Sequence, residues 1–350
     1  AVVGCTALAA SGGSGSRHVA LTRTRFDLVL VDEASQLLLP TALGALLCLR
    51  SPDGTKCNES GRFVLVGDPH QLPPLVQSAK ACQAGLDRSL FTHLLDLCHD
   101  RPSVPNGRVV ELNLQYRMNA PILRLTNELS YSNSMQPIDS IVSNATLADR
   151  LCPLPARLFG DTMWNSCSGV DRQYSNQTEA LLVAFLVRLL LQCGLDAVDL
   201  GVIAPHRSQV ALLNRVLAEP TPGTMESTAT RQLATGVEVN TVDQFQGRDK
   251  RAIVLSLTVC TSNQNTRRGP SRNLLEDLAR LTVALTRAKH KLLVIGCSGR
   301  ERSANESHDI HLFDHSDSVL HRLFELLFRS NDYHALTQDD FAFVKRLEQR

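Results

Sequence analysis

Two arginines of the chain stand in stretches whose side chains could bind a nucleotide. Arg117 follows Tyr116, whose flat ring could stack on an adenine, and Arg287 follows a run of small and apolar residues at 281–286. A guanidinium binds phosphate oxygens through a planar set of N–H donors, in a way that Lys matches poorly. We therefore predict that Arg117 binds phosphate and that Arg287 is an arginine finger, a cation that stabilises charge during phosphoryl transfer. The alternative for each is a structural or surface arginine.

An acidic pair and a glutamine follow two apolar runs. Asp32 and Glu33 come directly after residues 26–31, and Gln71 lies in a turn rich in Gly and Pro after residues 63–66. In a nucleotide hydrolase, the first carboxylate of such a pair holds Mg²⁺ and the second orients or deprotonates the attacking water. We assign these roles to Asp32 and Glu33, and we predict that Gln71 senses the γ-phosphate. A solvated strand end and an ordinary Gly-Asp-Pro turn are the alternatives.

A second polar cluster occupies residues 239–250. Gly247 would let the backbone approach a nucleotide, and Asp249 could accept a hydrogen bond from a ribose hydroxyl. Thr241 and Gln244 could face the backbone of a nucleic acid. A polar loop without a ligand is the alternative.

Arg280 stands seven residues before Arg287, a spacing of two helical turns. We predict that both lie on one face of a helix. Arg280 would then join the cofactor-binding residues, and Arg287 would point across a cleft between two domains.

Four apolar runs without polar alternation predict the strands that position these clusters: residues 26–31, 63–66, 200–203 and 291–295. Runs of this kind are typical of parallel strands that are buried on both faces, and ligands of such sheets bind at the carboxyl ends of the strands. A helix is predicted at 177–193, with Asn176 and Glu179 at capping-box spacing and Gly194 as the stop. Strands that alternate with helices predict an α/β fold.

The length of 350 residues suits two compact domains, and a composition shift places their boundary near residue 152. We predict domains at 1–152 and 153–303 and a helical tail at 304–350, where apolar residues recur at helical spacing from Val319 to Leu327. The net charge of +1 argues neither for nor against nucleic acid. The ten cysteines form no Cys-x-x-Cys pair, and no apolar run approaches the roughly 20 residues of a membrane span. We expect neither a zinc or iron-sulfur site in this chain nor a membrane partner.

Taken in order, these stretches resemble the later motifs of superfamily 1 helicases of the Upf-like, 5′-to-3′ branch. Within that branch, the sequence of these motifs is most similar to the eukaryotic DNA replication ATP-dependent helicase/nuclease family. The resemblance rests on Gln-Tyr-Arg-Met-Asn at 115–119, Leu-Thr-Asn-Glu-Leu-Ser-Tyr at 125–131, Val-Glu-Val-Asn-Thr-Val-Asp at 237–243, Gln-Gly-Arg-Asp-Lys at 246–250 and Leu-Thr-Val-Ala-Leu-Thr-Arg-Ala-Lys-His-Lys-Leu at 281–292.

The resemblance implies two RecA-like parallel-sheet domains of the P-loop NTPase helicase core, the first truncated at its amino terminus. It implies ATP and Mg²⁺ as cofactors, γ-phosphate contacts from Gln71 and Arg117, and contacts of Thr6 and Thr241 with a single strand. The implied substrates are single-stranded and flap or forked DNA in replication and repair, with a single-strand-binding protein as a further partner. The implied location is the nucleus, with the mitochondrion as the alternative. In that family the nuclease domain and its iron-sulfur cluster lie amino-terminal to this region.

One departure from the family pattern is the phosphate loop. No Gly-x-x-x-x-Gly-Lys-Ser/Thr stretch occurs, and the chain starts without Met in what reads as a strand. We therefore expect a fragment that by itself binds ATP poorly and hydrolyses it little. Two alternatives stay open: an RNA helicase of the same branch, and a nucleic-acid-binding helicase remnant that does not hydrolyse ATP.

Overall fold

A computed structural model of the chain describes residues 2–10, 25–49, 61–100, 109–147, 162–166, 175–219, 228–258, 277–296, 318–330 and 332. Its contacts divide the chain into two compact units, Ala1–Glu111 and Leu112–Arg350. The boundary predicted near residue 152 falls outside the described residues and stays a prediction. In the described part, the segment that carries Arg117 belongs to the second unit.

Among its described residues, the first unit contains two parallel strands and four α-helices. These are α1 (Ala7–Ala10), β1 (Leu28–Val31), α2 (Leu39–Leu46), β2 (Arg62–Leu65), α3 (Ala79–Gln83) and α4 (Leu90–Asp100). The strands pair in parallel, with Val31 opposite Leu65. Their position and direction confirm the prediction from the apolar runs.

The prediction that these two strands are buried on both faces was wrong. Leu30 and Phe63 are exposed, and Val31 is the one buried residue of β1. In the part of the chain that the structure describes, this sheet has only two strands, and the apolar side chains of Leu30 and Phe63 remain in contact with solvent.

The second unit is built on a larger parallel sheet. Its elements are β3 (Leu114–Gln115), α5 (Ala120–Thr126) with a π-helical turn (Asn127–Tyr131), β4 (Gln136–Pro137), α6 (Ser140–Ser143), β5 (Thr162–Ser166), α7 (Gln177–Gln192), β6 (Leu200–Ala204), α8 (Arg207–Ala218), α9 (Thr228–Thr235), β7 (Glu238–Thr241), β8 (Lys250–Ser256), α10 (Leu278–Leu285), β9 (Ala288–Gly296) and α11 (Val319–Arg329). The described strands of the main sheet lie in the order β5-β9-β8-β6-β7, and all pair in parallel. The α/β fold with parallel sheets is therefore confirmed.

Strands β6 and β9 lie where the apolar runs predict them, and every residue of β6 is buried. The sequence prediction missed β8, which pairs with both β6 and β9. This strand begins with the charged residues Lys250 and Arg251, so its apolar part is short. Its tertiary position, between two buried strands, is what makes it part of the core.

Helix α7 begins as predicted, but the second hydrogen bond of its amino-terminal cap has a different partner from the predicted one. Asn176 Oδ1 accepts a hydrogen bond from the N–H of Glu179 at 3.0 Å, and Gly194 follows the helix with a φ of 99°. The N–H of Asn176 donates to Gln209 Oε1 at 2.8 Å, a position that Glu179 would fill in a complete capping box. The carboxyl of Glu179 is therefore available to another part of the unit.

Helix α10 is too short to contain both Arg280 and Arg287. It ends at Leu285, with Thr286 as its cap at a ψ of 2°, and β9 begins at Ala288. Arg287 therefore lies outside the helix. The prediction that Arg280 and Arg287 share one helix face was wrong, because the chain leaves helical geometry before it reaches the second arginine.

Helix α11 confirms the prediction from the carboxyl-terminal apolar pattern. Leu320, Leu323, Phe324 and Leu327 are buried, and the helix contacts α5 and β5 of the same unit. The spacing of these residues at one turn or two places them on a single face. Within the described residues, no helix is long and apolar enough to cross a membrane.

Candidate functional site

The acidic pair and the glutamine turn of the first unit follow neighbouring strands. Asp32 and Glu33 come directly after β1, and Gly67 and Asp68 come shortly after β2. The N–H of Ala34 donates to the carbonyl of Val66 at 2.8 Å, so the two loops stay joined beyond the strands. Parallel pairing thus brings both predicted clusters to the same edge of the sheet.

Gly67 allows the two loops to approach each other. A Cβ atom at this position would lie 2.9 Å from the backbone nitrogen of Ser35, closer than real Cβ contacts. Glu33 stands beside this contact in a left-handed conformation, with a φ of 51°. Such a conformation is uncommon for a residue with a side chain and is often found at functional sites.

The carboxylates at this edge are exposed and only partly engaged. Asp32 Oδ1 accepts from the N–H of Glu33 at 2.9 Å, and Glu33 Oε2 accepts from Gln36 Nε2 at 2.6 Å. Both residues are exposed, and within the described residues no hydrogen bond engages Asp32 Oδ2 or Glu33 Oε1. Carboxylate oxygens are the ligands that Mg²⁺ prefers, and one or two of them with substrate oxygens and waters suffice, so the donor set fits this ion.

Gln71 is held by the loop that carries it. Its Nε2 donates to Asp68 Oδ2 at 2.9 Å, and Asp68 Oδ1 also accepts from the N–H of His70 at 2.9 Å. The aspartate therefore fixes the turn and orients the amide. The Oε1 atom of Gln71 is the end that such an arrangement leaves to accept a hydrogen bond.

Arg117 of the second unit forms an ion pair with Asp249. Its Nε lies 3.3 Å from Asp249 Oδ2, and its Nη1 donates to the carbonyl of Thr286 at 3.2 Å. Lys289 Nζ approaches the same Asp249 oxygen at 2.9 Å. Asp249 is thus a partner of two cations, and the ribose contact predicted for it stays a prediction.

Arg287 lies beside this cluster but is buried, with only 2% of its surface exposed. Its Nε donates to the carbonyl of Val283 at 3.0 Å and its Nη2 to the hydroxyl of Thr286 at 2.9 Å. Arg117 and Arg287 therefore meet at one residue, Thr286, in one compact unit. The boundary predicted near residue 152, which would separate the two arginines, lies outside the described residues and stays a prediction.

The loop that presents Arg117 is anchored by amides. Gln115 Oε1 accepts from the N–H groups of Arg117 and Met118 at 2.9 and 2.7 Å. The N–H of Asn119 donates to the carbonyl of Lys289 at 2.9 Å, and its Nδ2 donates to the carbonyl of His290 at 3.0 Å. Sequence reasoning missed these two anchors, although both belong to the Gln-Tyr-Arg-Met-Asn stretch that it singled out.

The remaining nucleotide candidates, Tyr116, Gly247 and Arg280, lie in different parts of the second unit. Tyr116 is 70% exposed, so its ring is accessible for stacking. Gly247 has a φ of 72°, the left-handed conformation that glycine adopts most readily. Arg280 forms ion pairs with Asp277 at 2.7 Å and Asp243 at 3.4 Å, which joins α10 to the loop after β7.

The nucleic-acid candidates have different environments. Thr241 is buried, and its hydroxyl contacts Gln244 Oε1 at 3.4 Å, while Gln244 itself is exposed. Thr6, in the first unit, is exposed and accepts a hydrogen bond from the N–H of Ala9 at 3.2 Å. Gln244 and Thr6 are thus accessible to a ligand in the described structure, and Thr241 is positioned to orient Gln244.

The charge of Asp249 depends on its two cations. Partial burial by itself would raise the pKa of this carboxyl, but the hydrogen bond from Lys289 and the positive charges of Lys289 and Arg117 hold its pKa below the usual value. The aspartate is therefore ionised at neutral pH. Two cations and one carboxylate leave this cluster with a net positive charge, which favours a phosphate group.

Glu179 is a buried acid at a different place in the second unit. Its Oε1 accepts from the hydroxyl of Ser256 and from the N–H of Thr258, the latter at 3.0 Å, and Gln209 Nε2 donates to the same Ser256 hydroxyl at 3.1 Å. Burial raises the pKa of Glu179 to about 7, although the hydrogen bonds act in the opposite direction. The acid links the start of α7 to the end of β8.

The raised pKa of Glu179 predicts a pH-dependent stability. Since the folded state holds this proton more tightly than the unfolded chain, the free energy of unfolding is expected to fall as the pH rises from about 4.5 to about 7, by up to about 3 kcal/mol. Glu179→Gln keeps the acceptor and removes the titration. Urea denaturation followed by the fluorescence of Trp164, the one tryptophan of the chain, at about pH 5 and about pH 8 measures this difference. Equal pH dependence of wild type and Glu179→Gln would contradict the prediction, and the exposed Glu325→Gln serves as the control.

Comparison with known proteins identifies the family. The model of an AAA domain family matches residues 86–299, more than half of the chain, and a second AAA domain model matches residues 1–79. The chain belongs to this AAA domain family. The AAA domain match at 86–299 contains Arg117, Asp249, Arg287 and Lys289, and the match at 1–79 contains the acidic pair.

Relatives of this AAA domain protein include DNA replication ATP-dependent helicase/nucleases. The protein of Xenopus laevis is 37% identical over 81% of this chain and 26% of its own length, and that of Homo sapiens is 35% identical over the same shares. The protein of Saccharomyces cerevisiae is 33% identical over 79% of this chain and 18% of its own length. The chain spans about a quarter or less of the length of these relatives. A crystal structure of the C-terminal domain of a possible DNA helicase from Lactobacillus plantarum superposes with a TM-score of 0.33 and 15% identity, covering 63% of this chain and 98% of that one.

Proposed function

We propose that this chain is the helicase region of an ATP-dependent DNA helicase/nuclease, in which ATP hydrolysis drives 5′-to-3′ movement along single-stranded DNA. The observation that carries the proposal is the meeting of Arg117 and Arg287 at Thr286, beside the positively charged cluster around Asp249. The relatives' names support ATP dependence and DNA as the substrate. The nuclease activity in those names belongs to proteins of which the matched region covers about a quarter, and we assign none of it to the described residues.

In this proposal the residues of the first unit hold the metal ion and activate the attacking water. Asp32 would hold Mg²⁺ through its carboxylate, and Glu33 would accept a proton from the attacking water. Gln71, oriented by Asp68, holds that water through its amide oxygen. When bound, Mg²⁺ neutralises charge on the phosphoryl oxygens.

The second unit contributes cations and a platform for the base. Arg117 binds the γ-phosphate, and Tyr116 stacks on the adenine. Arg287 stabilises the developing charge; to do so, its guanidinium must exchange its bonds with Val283 and Thr286 for a phosphate oxygen. Gly247 and Arg280 complete the nucleotide contacts in this proposal.

The nucleic acid is held mainly by its backbone, with Thr6, Thr241 and Gln244 as contacts, so binding is expected to weaken with salt. Flap or forked DNA, a single-strand-binding protein as a partner, action in replication and repair, and a nuclear or mitochondrial location are parts of the proposal that follow from the relatives' role in DNA replication. Thr241 would act by orienting Gln244, since its own side chain is buried.

Strand displacement by the complete protein tests the function. Matched duplexes with a single-stranded DNA or RNA track are compared with ATP, with a non-hydrolysable analogue and without nucleotide. We expect displacement on the DNA track that requires ATP hydrolysis. Preference for the RNA track would support the RNA-helicase alternative, and binding of DNA without any ATP hydrolysis would support the non-hydrolysing remnant.

A further inference from the structure

Lys289 has no assigned role, yet its ammonium makes the shortest contact in the cluster around Asp249. The Nζ to Oδ2 distance is 2.9 Å, compared with 3.3 Å from the same oxygen to Arg117 Nε. Strand pairing brings the two residues together, because Lys250, which follows Asp249, lies opposite Ala288, which precedes Lys289. The N–H of Lys250 also donates to the carbonyl of Arg287 at 3.0 Å. The contact is therefore built into the sheet.

Arg117 uses only part of its guanidinium in this cluster. Its Nε faces Asp249 and its Nη1 donates to the carbonyl of Thr286. A guanidinium is rigid and planar, so two fixed nitrogens determine the direction of the third. Within the described structure, the two Nη2 donors and the second Nη1 donor of Arg117 are left to bind a ligand.

Asp249 has opposite effects on a phosphate-binding arginine. Its carboxylate orients Arg117, but its negative charge also competes with a phosphate for that guanidinium and repels the phosphate itself. A second cation on the same oxygen reduces both effects while it leaves the carboxylate in place. Lys289 is that cation, and 36% of its side chain is exposed, so its charge acts at the surface where a ligand would arrive.

We propose that Lys289 is a positioning residue for ATP binding, an inference that rests on the proposed function. Lys289 holds and neutralises the carboxylate of Asp249, so that Asp249 orients Arg117 without competing for the γ-phosphate. Lys289 itself need not touch the nucleotide. Its effect should therefore depend on the charge of Asp249.

A double-mutant cycle in the complete protein tests this dependence. Steady-state ATP hydrolysis, stimulated by single-stranded DNA, is measured for wild type, Lys289→Met, Asp249→Asn and the double variant. We expect Lys289→Met to raise KM for ATP about fivefold with a smaller change in kcat, since one charge near a half-exposed site is removed. In the Asp249→Asn background the same change should raise KM by less than about twofold.

Two controls separate positioning from structural damage. Lys289→Arg keeps the charge and should stay within about twofold of wild type in KM. Lys250→Met removes a neighbouring ammonium that pairs with Glu238 at 3.1 Å and should leave KM unchanged. Equal effects of Lys289→Met in both backgrounds, or none in wild type, would overturn the inference.

Arg117→Ala distinguishes failure of this inference from failure of the proposed function. If Arg117→Ala lowers DNA-stimulated hydrolysis strongly and the cycle is additive, only the role of Lys289 is lost. If wild type shows no DNA-stimulated hydrolysis, or Arg117→Ala has no effect on it, both the proposed function and the role of Lys289 are overturned.

Discussion

Replacement of Arg287 by alanine in the complete protein is expected to lower the kcat of DNA-stimulated ATP hydrolysis by about 10³-fold or more. An arginine finger stabilises charge that appears only in the transition state, and its removal from related phosphoryl-transfer systems costs roughly 10³ to 10⁵ in rate. The measurement is steady-state ATP hydrolysis at saturating single-stranded DNA and ATP. KM for ATP should change much less than kcat, because the interaction lost is made mainly in the transition state.

Burial of Arg287 makes a matched structural control necessary. Its guanidinium is enclosed and donates to the carbonyl of Val283, so Arg287→Ala also leaves that carbonyl without this donor. Arg188 is a second buried arginine of the same unit, and its Nη2 donates to the carbonyls of Val216 and Glu219 at 3.1 and 2.8 Å. Arg188→Ala should lower stability by a similar amount and leave kcat per folded molecule unchanged. Near-normal turnover by folded Arg287→Ala protein would refute the finger role.

Glu33→Gln is expected to separate ATP binding from ATP hydrolysis. The amide keeps the shape of the side chain and a hydrogen-bonding oxygen but cannot accept a proton from water at neutral pH, so kcat should fall by about 10²- to 10⁴-fold. ATP binding, measured as Kd with a fluorescent nucleotide analogue, should change by less than about threefold, since the role of Glu33 lies in the chemical step.

The conformation of Glu33 guides the choice of controls. Glu33 has a φ of 51°, and its Oε2 accepts a hydrogen bond from Gln36. Glutamine keeps a side-chain oxygen that can accept this bond, so it is a milder replacement than alanine. Glu325→Gln, on the exposed face of α11 in the second unit, tests the effect of removing one carboxylate elsewhere. Loss of ATP binding in Glu33→Gln equal to its loss of hydrolysis would show that the residue holds the nucleotide or the metal instead.

The parts of the fold that could be predicted from the sequence are those governed by neighbours along the chain. An apolar run without alternation predicts a buried parallel strand, as β6 and β9 show, and an Asn before an apolar helix predicts its cap, as Asn176 shows. The same reasoning failed for the burial of β1 and β2, where coverage depends on other elements. It also failed for Arg287, because a spacing of seven residues does not reveal where a helix ends.

The candidate residues themselves were determined by the sequence, since side-chain chemistry and order along the chain suffice to select Asp32, Glu33, Arg117 and Arg287. Their partners were decided by the tertiary structure. Arg117 contacts Asp249 and Thr286, which lie 132 and 169 residues further along the chain, and Lys289 reaches Asp249 only because β8 and β9 are neighbours. Local patterns carry no information about which strands become adjacent, because that order follows from the packing of the whole unit. The sequence thus identifies the candidate cations, and the order of the strands in the sheet determines which carboxylate pairs with them.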